Sequence, residues 1–207
     1  MVDKWSHRHL GAQLSEKKHN AAILGSGGGF DVVSAYQAGF ENIFSVDIDP
    51  VRQDWLKNNK NLLQLTDNLY RDKKIKTVVS DARGFVKFEK TKFDLINLFN
   101  VDSFTGFSVG AYNLSENYLY TVEAVTDYLN ALSDTGVLQI SFPYWGGDPL
   151  IQKVFLTFVE AIKLSNLPLK NLFVVTVPNG PRQQHTFIYK NDGFSQNNIN
   201  KIEKILN

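Results

Sequence analysis

The stretch AAILGSGGGFDVVSAYQAGFENIFSVDIDP, residues 21–50, decides how this chain folds. A short apolar run, residues 21–25, stops at glycines and reads as a buried strand. Residues 30–40 follow with helical spacing, so that Val33, Ala35 and Tyr36 can face a sheet. A second apolar run, residues 42–49, reads as another strand, and Pro50 suits the first turn of a helix reaching to about Leu63. Between the first strand and its helix lie Gly25, Gly27, Gly28 and Gly29. One glycine would satisfy a tight turn. Four cost backbone entropy that a turn alone does not require, so the loop is expected to let a ligand approach bare backbone. Asp47, at the end of the second strand, stands where a carboxylate accepts both hydroxyls of a ribose in nucleotide-binding βαβ units. Asp49, immediately before Pro50, fits the cap of the next helix better.

The alternation continues along the chain. Residues 75–81 and 92–99 read as the third and fourth strands. Residues 115–132 form the best helical pattern, with Ser115 as N-cap and Glu116 in the first turn. The fifth strand is expected over 136–142 and a further amphipathic helix over 148–165. Residues 171–178 and 185–190 flank the turn signal NGPRQQ and read as a hairpin, and 195–206 as a terminal helix. Strands alternating with helices imply an α/β fold with a seven-stranded, mostly parallel sheet, one antiparallel edge strand and helices on both faces. Residues 21–207 make up this domain, and 1–20 are a polar N-terminal extension. Ligands should gather at the carboxyl ends of the strands.

Composition removes several classes of function. The 207 residues carry 22 Lys plus Arg against 21 Asp plus Glu, so no global field draws the chain to nucleic acid or anionic lipid. There is no cysteine, which excludes disulfides, thiolate metal sites and cysteine nucleophiles. The first twenty residues hold no apolar leader and no run is long enough to span a bilayer, so a cytoplasmic protein with no membrane segment is expected. His7 and His9 form an H-x-H pair without accompanying ligands, and no metal is expected. His185 reads as structural.

A dinucleotide fingerprint would need a third glycine at residue 30, where Phe30 stands. The pattern G-x-G-x-G followed by an acid resembles instead the S-adenosylmethionine loop of class I methyltransferases. That resemblance implies the Rossmann-like class I methyltransferase fold. It lays the cofactor's amino-acid part along Gly25, Ser26, Gly27, Gly28 and Gly29, with Asp47 and Ile48 at the nucleoside. It also implies that Asp81, ending the third strand, reads the adenine amino group, with Ala82 in the adenine wall. Asp81 equally suits a helix cap, and Asp31 is either a helix-dipole partner or a contact to the cofactor's ammonium.

The motifs ILGSGGGFDVV, VDIDP, VVSDARGFV, FDLINLFNVDSF and LSENYLYTVEAVTDYLNALSDTGVLQIS resemble the spermidine-synthase-like branch of that superfamily. They are most similar to members in which such a domain is joined to membrane segments, and the likeness covers about residues 20–142. Aminopropyltransferases of this branch carry a catalytic aspartate directly after the fourth strand, in a D-x-x-D arrangement. That aspartate deprotonates the attacking amine. Here its place falls on Phe99, and Asp102 matches the second acid. The reaction end then offers Asn97, Asn100, Asp102, Tyr112, Glu116 and Tyr120. Asp102 is the candidate base, with Asn100 beside it. Asn97 is either a buried structural amide or a cofactor contact. The loop 100–114 reads as a lid or a surface loop, and Tyr144 and Trp145 as an acceptor wall or as packing. The expectation is an S-adenosylmethionine-dependent transferase acting on a small-molecule acceptor, with methyl transfer favoured because Phe99 replaces the acid. The alternatives are aminopropyl transfer from decarboxylated S-adenosylmethionine and a non-catalytic nucleoside-binding domain. Related synthases are commonly dimers, which suggests a homodimer.

Overall fold

Seven strands pair into a single sheet because five apolar runs of four to eight residues, too short to bury themselves as helices, alternate with amphipathic segments that cover both faces. The computed structural model describes residues 6–101, 116–144, 150–179 and 182–206. The strands are β1 (Asn20–Leu24), β2 (Asn42–Asp47), β3 (Ile75–Val79), β4 (Phe93–Phe99), β5 (Leu132–Tyr144), β6 (Leu172–Asn179) and β7 (Arg182–Lys190). Their order is β3-β2-β1-β4-β5-β7-β6. The first five run parallel, and the strand order changes direction between β1 and β4, the switch point at which a crevice forms beyond the carboxyl ends. The hairpin supplies the antiparallel edge: β7 runs against both β5 and β6 and lies one place in from the rim.

The helices are α1 (Leu10–Leu14), α2 (Phe30–Gln37), α3 (Pro50–Asn58), α4 (Lys60–Leu65), α5 (Ala82–Phe88), α6 (Val122–Ala131), α7 (Leu150–Leu164) and α8 (Gln196–Leu206). On one face, α5, α6 and α7 pack Val86, Val125 and Phe158 over Leu24, Ile96 and Ile140. On the other, α1, α2, α3 and α8 pack Leu10, Val32, Leu56 and Ile202 over Ile23, Ile43 and Leu95. The helix expected from Pro50 to Leu63 breaks at Asn59. That residue is extended and caps α4 by accepting from Asn61 N and Leu62 N. The helix expected over 115–132 begins later. Residues 116–120 form a 3-10 turn, Thr121 caps α6 by accepting from Ala124 N, and Leu132 already opens β5. Ser115 lies outside the described residues.

The polar N-terminal stretch folds over the sheet. Leu10 and Leu14 are buried against the strands, and Ser15 Oγ donates to Asp94 O. Asp94 gathers the amino ends of three strands. Its Oδ2 accepts from His19 N and Asn20 N, and its Oδ1 accepts from Ser133 Oγ. Lys18 donates to Ala12 O and lies 4.9 Å over the Phe40 ring. Burial, followed by the nearby Lys201 charge, lowers its pKa from 10.5 to about 8. Because the folded value lies below the unfolded one, the unfolded chain holds the extra proton between about pH 8 and 10.5, and stability climbs with pH across that window. Urea midpoints measured against pH should show this rise in the native chain and not in Lys18→Met. Truncating Leu10 to Ala should cost about 2–4 kcal/mol of stability in the same measurement, since its side chain is fully enclosed.

Candidate functional site

The glycine loop leaves β1 at the crevice and turns back under its own hydrogen bonds. Ser26 N donates to Val46 O and Gly29 N to Ser26 O. Gly25 and Gly29 are held at positive φ, +64° and +89°, a conformation that side chains rarely adopt. Space forbids them as well: a Cβ on Gly25 would lie 2.4 Å from Val101 Cγ1, and one on Gly29 2.2 Å from Tyr70 Oη. Gly28 differs, for a Cβ there would meet nothing within 4 Å. The loop is therefore packed against protein at two glycines and open at a third. Beneath it a buried polar cluster fixes its height. Ser45 Oγ donates to Ser26 Oγ, and Gln53 Nε2 donates to Ser45 O and Ser26 Oγ. Burial pushes the Tyr70 hydroxyl, below Gly29, up to about 12.

Asp47 ends β2 with its side chain only 4% exposed. Its Oδ2 accepts from Gly27 N at 2.9 Å and its Oδ1 from Asp49 N at 3.0 Å, while Arg52 Nη1 lies 3.1 Å from both oxygens. It thus ties the glycine loop to the start of α3. Arg52 is 45% exposed and can swing away, which would release lone pairs toward the crevice. Asp49 is the helix cap, accepting from Val51 N and Arg52 N. Ile48 follows Asp47 and is 73% exposed, a bare apolar surface at the mouth. Asp81 caps α5 by accepting from Gly84 N at 2.6 Å and is itself exposed, with Ala82 buried beneath it. Gly25, Gly27, Asp47, Ile48 and Asp81 thus stand at three successive strand ends of one crevice.

Asp31, expected as a helix-dipole partner or a contact to the cofactor's ammonium, lies in the first turn of α2 and is paired within the protein. Both of its oxygens are taken by Arg8, Nε to Oδ1 at 2.6 Å and Nη2 to Oδ2 at 2.7 Å, and the carboxylate is buried. Sequence reasoning missed Arg8, because residues 6–9 looked like a solvated tail. The same guanidinium lies 4.2 Å from the ring centroid of Phe99 and 5.4 Å from that of Phe30. The H-x-H pair is likewise built into the fold. His7 lies against Phe99 with ring centroids 5.8 Å apart, and His9 Nδ1 bonds Ser34 Oγ. Among the described residues no group of three or more potential metal ligands occurs.

Asn97 is buried in β4 beside Ile23 and Gln139, and among the described residues its Oδ1 has no hydrogen-bond partner. A buried amide oxygen without a donor is costly. Asn100 follows β4 at φ +53°. Its N donates to Ser141 O, and its Oδ1 accepts from Gln184 Nε2 at 2.9 Å. Gln184, from β7, could not be found by reading sequence, since pairing across the sheet alone brings it here. Tyr120 packs edge-on against Phe142. Asp102, Tyr112 and Trp145 lie outside the described residues, as do the side chains of Glu116 and Tyr144. His185 bonds Thr176 through Nδ1, within the hairpin.

The family model for the spermine/spermidine synthase domain matches residues 6–201. This chain belongs to that family. It is 28% identical over 156 residues to polyamine aminopropyltransferase 2 of Aquifex aeolicus. It is also 28% identical over 162 residues to polyamine aminopropyltransferase of Oceanobacillus iheyensis. These matches cover 75% and 77% of the chain but 29% of each relative's length. Among solved structures, the spermidine synthase from Thermotoga maritima superposes with a TM-score of 0.65, covering 99% of this chain and 67% of that one at 16% identity. A putative methyltransferase from Streptococcus mutans in complex with SAH gives 0.59 at 18% identity, over 92% of this chain and 99% of that one. Both structures share the fold. Both curated relatives carry the name of an aminopropyltransferase, and the Streptococcus mutans neighbour that of a putative methyltransferase. Among the described residues, no helix is long and apolar enough to cross a membrane.

Replacing Gly29 by Ala should destabilise the fold by about 1–3 kcal/mol through the strained φ alone, with the Tyr70 clash added. In a double-mutant cycle read by urea denaturation, Tyr70→Phe should recover only part of the clash, since ring carbons at 3.0 and 3.1 Å remain beside the new Cβ.

Proposed function

We propose that this chain binds the nucleoside of decarboxylated S-adenosylmethionine and transfers its aminopropyl group to a small amine. The observation that carries the reading is the joint placement of an open glycine at Gly28, the buried carboxylate of Asp47, the exposed Ile48 and the cap Asp81 around one crevice. In this reading Ile48 and Ala82 flank the adenine, the free lone pair of Asp81 takes its amino group, and Asp47 exchanges Arg52 for the ribose hydroxyls. The names of the curated relatives support the aminopropyl group and hence the decarboxylated cofactor. The reaction joins the acceptor nitrogen's lone pair to the carbon beside sulfur. The carbon–sulfur pair returns to sulfur, the sulfonium becomes a neutral thioether, and the nitrogen sheds one proton. Chemistry of this kind needs alignment above all. Asp102, two residues beyond Asn100, is the proposed base and Asn97 a proposed cofactor contact.

A second reading, methyl transfer from S-adenosylmethionine, is favoured by one observation. Phe99 stands where the family resemblance places the catalytic acid, and Arg8 rather than a carboxylate covers it. A calorimetric titration with methylthioadenosine, S-adenosylmethionine and its decarboxylated form tests both. The shared nucleoside should bind, and Ile48→Glu should weaken all three ligands at least about tenfold without lowering stability, because the side chain is exposed. Asp81→Ser, which keeps a helix cap, should weaken them less. Release of methylthioadenosine with a diamine would establish aminopropyl transfer, and turnover of the carboxylated cofactor alone would establish the second reading. Absence of nucleoside binding would overturn both.

A further inference from the structure

We infer that Arg8 is a receptor for a carboxylate at the reaction end of the site, carried by an amino-acid group of the cofactor or of the acceptor. The inference rests on the nucleoside reading that both proposed reactions share and adds a charge requirement at its far end: a carboxylate on the acceptor accords with aminopropyl transfer, and one on the cofactor would select methyl transfer instead. Three observations carry it.

Arg8 is held with little freedom. Asp31 takes Nε and Nη2 as a fork, and Gln139, fully buried in β5, donates Nε2 to Arg8 O at 3.0 Å. The Phe99 ring lies against the guanidinium face. A guanidinium has five N–H donors in one plane, and Asp31 uses two of them. Among the described residues no acceptor other than Asp31 is bonded to it. Its side chain keeps 20% exposure, so the guanidinium is not sealed inside the protein.

Among the described residues, the two buried acids of the site are matched, Asp31 by Arg8 and Asp47 by Gly27, Asp49 and Arg52, and the guanidinium donors that Asp31 does not use point away from that carboxylate. An ammonium arriving beside Phe99 would meet a fixed positive charge and no unpaired buried carboxylate among the described residues. A carboxylate would meet an oriented guanidinium in a partly dry setting, where such pairs are strongest. Finally, Gly28 leaves the loop open at the glycine turn that leads into α2, so a ligand's tail can lie there without steric conflict.

The test separates the two sources of the carboxylate. In the cofactor arm, S-adenosylmethionine is titrated against decarboxylated S-adenosylmethionine, which differs from it by the carboxylate alone, with methylthioadenosine as the reference. In the acceptor arm, ornithine is titrated against 1,4-diaminobutane, with and without methylthioadenosine. The native chain should prefer the carboxylated member by about tenfold or more in one arm. Arg8→Gln should reduce that preference to about twofold or less, Arg8→Lys should keep part of it, and methylthioadenosine affinity should hold throughout. Since Arg8→Gln leaves Asp31 unpaired, the neutral pair Arg8→Met with Asp31→Asn is measured alongside and should behave as Arg8→Gln does. No preference in either arm, or one that survives both variants, overturns the inference even where methylthioadenosine binds. Failure of methylthioadenosine to bind overturns the nucleoside reading, while the acceptor arm without it still reports on Arg8.

Discussion

The Asp47 carboxylate bonded to the Gly27 amide is the contact on which the site depends. It joins the loop after β1 to the end of β2, and through Asp49 N and Arg52 it also sets where α3 begins. A glycine loop has no side chains with which to fix itself, so its shape must come from outside. Here it comes from a carboxylate in front, a Ser26–Ser45–Gln53 cluster beneath, and two side chains, Val101 and Tyr70, that leave room for hydrogen alone. The loop is preorganised before any ligand arrives. That is the condition under which bare backbone becomes a binding surface rather than an entropic cost.

The same logic explains the polarity of the sheet. Its two faces are apolar over most of their length, yet on the face covered by α1 and α2 the pattern turns polar toward the carboxyl ends, at Ser45, Asp47, Asn97, Gln139 and Ser141. Each of these buried groups needs a partner. Most find one within the protein, as Gln139 does with the backbone of Gly11 and Arg8 and Ser141 with Thr186. Asn97 Oδ1 does not among the described residues, and this imbalance lies next to the position where the family resemblance places the reacting groups.

The N-terminal segment, expected as a polar extension, is a structural element of the fold. Leu10 and Leu14 anchor it by burial, Gln139 holds its backbone, and Arg8 then extends to Asp31 and Phe99. A guanidinium over an aromatic ring, paired to a buried acid, is a different electrostatic setting from a bare carboxylate at residue 99. Phe99, with Arg8 over its ring, stands where the family resemblance places an acid.

Reading residues in order was enough for the strand alternation, the glycine loop, the Asp49 cap, and the placement of Asp47 and Asp81 at strand ends, because each of these depends on a few consecutive residues and on sterics or hydrogen bonds that are local. The break at Asn59 and the late start of α6 at Thr121 are also local, but side chains that cap in two registers left the choice to packing. The pairing of Arg8 with Asp31, the cover over Phe99, and the meeting of Gln184 with Asn100 span 23 to 91 residues of chain. No periodicity encodes such contacts. They exist only once the sheet has set its strand order and the free energy of burying Leu10 and Leu14 has drawn the N-terminus across it.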